Sequence, residues 1–189
     1  MAVVYEQTPN PNALKFVVSR EVRGDKGPLY YKKDPKSNPK ADAPLAYQLF
    51  QFDGIADVFF GSNFITVGKK EEVDWGDLRT EVMDMIREYD DSNNPFILEE
   101  VSPACDDINS DVGVSKTEKQ IKQLLDDRVR PAVAQDGGDI IFHSFKEGVV
   151  YLEMYGACSG CPSSTATLKM GIENMLKHYI PEVNRVEPI

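Results

Sequence analysis

The chain has 189 residues, 41% hydrophobic and 28% charged, proportions that fit one globular domain or two modest ones and exclude a disordered or membrane-embedded class. A formal net charge of −10 repels phosphate backbones and anionic lipid, which excludes nucleic-acid and membrane partners unless a local basic patch exists. No apolar run approaches the ~20 residues that span a bilayer, and the start shows no leader pattern; the odd count of three cysteines argues against a secreted disulfide framework, so the expected location is cytoplasmic.

In chain order, Val3 to Tyr5 and the alternating Leu14, Phe16 and Val18 predict two short strands joined by the turn "TPNPN", Thr8 to Asn12. Residues 21–41 hold Gly24, Gly27, Pro28, Pro35 and Pro39 among lysines. The basic residues Lys26, Lys32, Lys33, Lys36 and Lys40 are interrupted by Asp25 and Asp34, and the stretch reads as a solvated loop, not a binding patch. Pro44 opens a short amphipathic helix with Leu45, Leu49 and Phe50, stopped before Gly54. "DVFFGSNFITV", Asp57 to Val67, has the form of a hairpin turning at Gly61-Ser62-Asn63. Asp74 is placed to cap the next helix, whose Trp75, Leu78, Val82, Met85, Ile86 and Tyr89 fall on one buried stripe.

From Asp90 to Val114 the chain turns acidic and irregular and reads as a linker. Its cysteine, Cys105, lies in "SPACDD", where neighbouring carboxylates disfavour the thiolate, so it reads as an incidental thiol. Beyond it, Ser115 and Glu118 have capping-box spacing, and Ile121, Leu124, Leu125 and Val129 form the stripe of the helix that follows. Pro131 demands a kink or a new turn. Gly137 and Gly138 end the helix and launch the hairpin "DIIFHSF"/"VVYLEMY". A second helix carries Leu168, Ile172, Met175, Leu176 and Tyr179 on one face and ends before Pro181, and Val183 to Val186 reads as a last strand. The expected fold class is α+β in two small domains. The boundaries are 1–90 for an N-terminal α/β sandwich-like unit, 91–114 for the linker and 115–189 for a C-terminal unit.

The chemistry concentrates in "GACSGCPSS", residues 156 to 164. Cys158 and Cys161 lie between a strand and a helix start, with Pro162 at a favoured first helical position, which makes Cys161 the expected N-cap. Backbone N–H groups and the helix dipole there favour thiolate at both sulfurs. Such a pair binds soft metals or exchanges as a disulfide, unless it is merely two small buried hydrophobes. A tetrahedral zinc site needs four ligands. His178 is on the order of 25 Å beyond Cys161 along a helix, and His143 sits within a strand. A cubane iron–sulfur cluster takes four thiolates, and a second copy of the chain across a two-fold axis supplies the missing two most economically. The competing readings are a thiol–disulfide oxidoreductase and a structural zinc link between chains.

"DGGD" with "GACSGCPSSTATLKMGIENMLKHYIPEV" resembles the C-terminal domain of the NifU family, and "TPNPNALKFV" with "PLAYQLFQFDGIADVFFGSNFITV" resembles the N-terminal domain of Nfu proteins. The resemblance spans nearly the whole chain. It implies a non-enzymatic iron–sulfur cluster scaffold or carrier, a homodimer when loaded. A 4Fe-4S cluster would bridge the CxxC motifs of two subunits, with Cys158 and Cys161 as the ligands by position, and a 2Fe-2S form is the other cluster type to test for. The implied partners are an upstream cluster-assembly scaffold as donor and apo iron–sulfur proteins as recipients. Multidomain NifU proteins carry further scaffold and ferredoxin-like domains without a counterpart here, which favours carriage over assembly from iron and sulfide. Mitochondrial relatives bear a presequence, and its absence at Met1 points to a bacterial-type cytoplasmic protein or to a trimmed chain. The N-terminal half shows no cluster of catalytic side chains and reads as a recognition or regulatory module.

Overall fold

The computed structural model describes residues 3–24, 27–34, 39–40, 42–98, 115–159 and 162–189, with the side chains of 162–164 outside that description. In the first half, β1 (Val4–Gln7), β2 (Ala13–Val17), β3 (Leu29–Lys32), β4 (Ile55–Phe60) and β5 (Phe64–Lys69) form one sheet in the order β1-β2-β5-β4-β3. Every pairing in it is antiparallel. The β4/β5 hairpin turns at the expected residues, where the Gly61 N–H donates to the Phe64 carbonyl at 2.9 Å. Strand β3 departs from the sequence reading, which took 21–41 as a single loop. Leu29, Tyr30 and Tyr31 pair with Phe60, Phe59 and Val58, so cross-strand packing of strong strand formers outweighs the flanking glycines and prolines.

Helices α1 (Pro44–Leu49) and α2 (Gly76–Asp91) cover one face of this sheet. Helix α2 starts one residue later than a cap at Asp74 would place it; Asp74 instead braces the turn before it, its Oδ1 accepting from the Gly76 N–H at 2.8 Å. Val82, Ile86 and Tyr89 of the expected stripe are buried against Leu14, Phe16, Val58, Phe60, Ile65 and Val67. The chain stays on this domain after α2. Phe96 packs on Tyr89 with ring centroids 5.7 Å apart, the Arg20 guanidinium lies 4.0 Å over Phe96, and the Leu98 N–H donates to the Asp42 carbonyl. Arg20 is held in turn by Asp90, whose carboxylate accepts from Arg20 Nε at 2.8 Å and from the Ser19 N–H and hydroxyl. Burial alone would raise the Asp90 pKa, but these hydrogen bonds and the Arg20 charge bring it below the usual carboxylate range.

The second half runs α3 (Lys116–Leu124), a π-helical turn (Leu125–Val129), α4 (Arg130–Gln135), β6 (Gly138–Lys146), β7 (Val149–Gly156), α5 (Pro162–Tyr179) and β8 (Arg185–Pro188). The capping box is present: Ser115 Oγ accepts from the Glu118 N–H at 3.2 Å and Glu118 Oε2 from the Ser115 N–H at 2.8 Å. At Pro131 the expected break takes the form of a new turn: a π-helical turn ends at Val129 and α4 begins at Arg130, with the proline in its first turn. The wide π turn just before it lets the helix pass a residue that has no N–H to offer. Strand β7 pairs antiparallel with β6 and parallel with β8, which begins at Arg185, later than the expected Val183. Ile121, Val133, Ile140, Leu152, Ile172 and Leu176 fill the core between this sheet and its helices. Both halves are sheets with helices on one side, so the fold class is α+β.

Side chains alternate across a sheet, so β2 to β5 also present Lys15, Tyr30, Asp57, Phe59, Phe64 and Thr66 on the face away from α1 and α2. In a sheet with one solvated face these would be wet. Phe59 and Thr66 are instead 1% and 0% exposed, yet neither belongs to the helix-side core. The C-terminal half lies against this second face.

Candidate functional site

The cysteine loop is rooted at a glycine pair. The Gly137 N–H donates to the Ala134 carbonyl at the end of α4, at φ +80°, and Gly138 opens β6 opposite Gly156 at the end of β7. From Gly156 the chain turns at φ +65°, and the Ala157 N–H donates to the Gly137 carbonyl at 3.2 Å. Ser159 closes the turn, its N–H and its hydroxyl both donating to the Gly156 carbonyl, at 3.0 and 2.8 Å. The Thr165 hydroxyl, in the first turn of α5, donates to the Cys158 carbonyl at 3.1 Å. Cys158 is thereby tied to both the hairpin and the helix. Its sulfur lies against the backbone of Gly138, where an added Cβ would meet Sγ and the Tyr155 carbonyl, each at 2.6 Å. Only glycine leaves room for it.

Cys158 is 6% exposed and packs within the C-terminal core. Burial pushes its thiol up to about 12, and the negative charges of Asp136 and Asp139 push in the same direction. This corrects the expectation of a thiolate favoured by the helix start: loss of solvent at the sulfur outweighs the dipole. Asp139 is itself held by Arg130, whose Nε and Nη2 donate to its two carboxylate oxygens at 2.9 and 2.7 Å, and by the Ile140 N–H at 2.7 Å. Cys161 immediately precedes α5 and, like Cys105, lies outside the described residues. His143 is exposed on β6, and His178 is exposed in the last turn of α5, edge-on to Tyr179. Among the described residues no three of His, Cys, Asp and Glu converge as a metal site.

Sequence reasoning missed what covers the loop. The "TPNPN" turn folds on itself: the Thr8 hydroxyl donates to the Asn10 and Ala13 carbonyls, and Asn10 Oδ1 accepts from the Asn12 N–H at 2.9 Å. So held, Asn10 Nδ2 donates across to the Ser159 carbonyl at 3.3 Å, one residue from Cys158. The buried Thr66 hydroxyl donates to the Gly137 carbonyl at 2.6 Å, and Lys15 Nζ to the Gln135 carbonyl at 3.2 Å. Tyr30 packs edge-on against Tyr155 with centroids 5.5 Å apart and is hydrogen-bonded to the Ser159 side chain. Phe59 lies against Gly156, so closely that a Cβ there would meet its ring at 3.1 Å. Beside these contacts a cleft of about 410 Å³ is lined by Phe59, Phe64, Arg130, Gly138 and Asp139. A signal existed in the sequence. Val58-Phe59-Phe60 and Phe64-Ile65 are unbroken apolar runs, the pattern of strands buried on both faces.

Comparison with known proteins gives the family. Residues 3–93 match the description "Scaffold protein Nfu/NifU N terminal" and residues 121–187 match "NifU-like domain". The chain belongs to the Nfu/NifU family of iron–sulfur cluster scaffolds. Among its relatives, the protein named "NFU1 iron-sulfur cluster scaffold homolog, mitochondrial" of Drosophila grimshawi is 47% identical over 97% of this chain and 60% of its own length. The protein of the same name from Drosophila willistoni is 45% identical over 100% and 64%. The chain thus spans a little under two thirds of the length of these Nfu relatives. A NifU-like protein from Saccharomyces cerevisiae, solved in solution, aligns at 25% identity with a TM-score of 0.46 over 52% of this chain and 86% of its own. The names overturn one expectation: a cytoplasmic location is contradicted by Nfu relatives that are named mitochondrial. An odd thiol count signals a reducing compartment without saying which one.

Proposed function

We propose that this chain carries an iron–sulfur cluster as cargo, a 4Fe-4S cluster held between the Cys158 and Cys161 thiolates of two subunits, and passes it to apo iron–sulfur proteins. The supporting observation is the position of Cys158: on a glycine-rooted loop, three residues before the cysteine that precedes α5, in a chain of this family. A cubane takes four thiolates and one motif supplies two, so the homodimer completes the coordination. A cluster anchored by two bonds per protein is readily surrendered to a recipient's cysteines, and readily accepted from an upstream scaffold. The work is carriage, not catalysis. Thiol–disulfide exchange is disfavoured by the placement of the motif, which follows the β6/β7 hairpin late in a small domain and not an early strand of a βαβ unit.

Anaerobic reconstitution should give a brown dimer with about four irons, and about two would mark a 2Fe-2S cargo. Cys158→Ala and Cys161→Ala should each remove the colour and the dimer together, read by visible absorbance and gel filtration. Retention of the cluster in either variant would defeat the ligand assignment.

A further inference from the structure

We propose that the N-terminal domain is a cap for the cysteine loop: the sheet face bearing Tyr30, Phe59 and Thr66, with Asn10 beside it, docks on the loop and must come away before two subunits can share a cluster. This rests on the reading of Cys158 and Cys161 as the ligands. The grip is specific to the loop and its root. Asn10 reaches the Ser159 carbonyl on one side of Cys158, and Phe59 lies against Gly156 on the other. Thr66 holds the Gly137 carbonyl, which also accepts from Ala157. The aromatic pair Tyr30–Tyr155 closes the contact.

Two consequences exclude a bridging cluster while the cap is down. The Cys158 sulfur is turned against Gly138, 6% of the residue reaching solvent, and the loop that must move to turn it outward is clamped by the first domain at Gly156 and Ser159. The backbone flanking it, at Gly156 and Ser159, is in contact with the first domain, which a second subunit's loop would have to displace to complete a four-thiolate sphere. The face that would be uncovered on release is built for burial. Phe59 and Phe64 pack at 5.9 Å between centroids, and Thr66 buries a hydroxyl whose partner is in the other domain. Docked and loaded forms are therefore two discrete arrangements of one chain. Anything that binds the sheet face or the loop biases the balance between them.

The test uses the full-length apo chain carrying Cys105→Ser and Cys161→Ser, so that Cys158 is the sole thiol. The wedge substitutions Thr66→Lys and Tyr30→Ala alter the outer face and leave the helix-side core untouched. The reaction of Cys158 with Ellman's reagent should be at least tenfold faster in the wedge variant than in its parent, with amide exchange in α2 and α5 unchanged. Equal rates in two folded proteins would overturn the cap. A second measurement needs no variant: hydroxyl-radical footprinting of the native chain should find Tyr30, Phe59 and Phe64 protected in the apo form and oxidised several-fold more after cluster loading. Continued protection in the loaded dimer would also overturn it. Failure of the ligand reading is separately visible, because a cluster kept by Cys158→Ala leaves the thiol kinetics of the apo protein unaffected.

Discussion

Asp57 stands opposite Lys32 in the β3/β4 pairing, on the same outer face as Phe59. Burial pushes its carboxyl up to about 6, and the Lys32 charge only partly opposes this. A folded-state pKa above the unfolded one means that the ionised form is the disfavoured one. The penalty is fully present above about pH 6 and fades as pH falls toward about 4, where both states are protonated. Asp57→Asn is therefore expected to stabilise the protein by about 1–2 kcal/mol near pH 8 and by almost nothing near pH 4, read from urea midpoints at the two pH values. At this scale the sequence revealed much of the site and little of its state. The spacing of Cys158 and Cys161 is local information and could be read directly. The burial of Cys158 depends on Gly138, twenty positions earlier, lying opposite Gly156 across a hairpin, and no local pattern carries that.

Elements were legible where their signals are local. Ser115 and Glu118 form the reciprocal cap that their spacing requires. Ser115→Ala should lower stability by about 1 kcal/mol and increase amide exchange in the first turn of α3, since the Glu118 N–H loses its acceptor. A shift in urea midpoint too small to resolve would mean that the turn is held by something other than its cap. The helical stripe of α2 and the β4/β5 hairpin followed from periodicity in the same way. Elsewhere local signals conflicted or fell short. Glycines and prolines around Leu29 to Lys32 spoke for a loop, but the pairing of Tyr30 and Tyr31 with β4 prevailed. Pro131 announces a disturbance in a helix without saying that a π turn will absorb it.

At the scale of the molecule, the sheet of the first half is buried on both sides, by its own helices and by the cysteine domain. Phe59 is the side chain on which this joint arrangement turns. Phe59→Ala should cost about 3–5 kcal/mol, in the range for a buried phenylalanine. The loss should register in the other domain as well, as faster amide exchange at Ala157 and in β7, whereas a residue serving one domain alone would leave those amides unchanged. The arrangement was not legible because a linker reading of 91–114 separates the halves in sequence and says nothing about contact between them. Unbroken apolar runs in β4 and β5 were the one available hint. The two motifs that carry the family resemblance, "TPNPN" and the cysteine loop, meet in space through Asn10 and Ser159.

The Gly137 carbonyl accepts from Ala157 within its own domain and from Thr66 across the boundary. An amide oxygen has two lone pairs, and only the second partner departs when the domains separate. Water can take the vacated position while Ala157 keeps hold of its own, so the loop keeps its root when it is uncovered. One oxygen atom thus serves as a latch toward one domain and an anchor within the other.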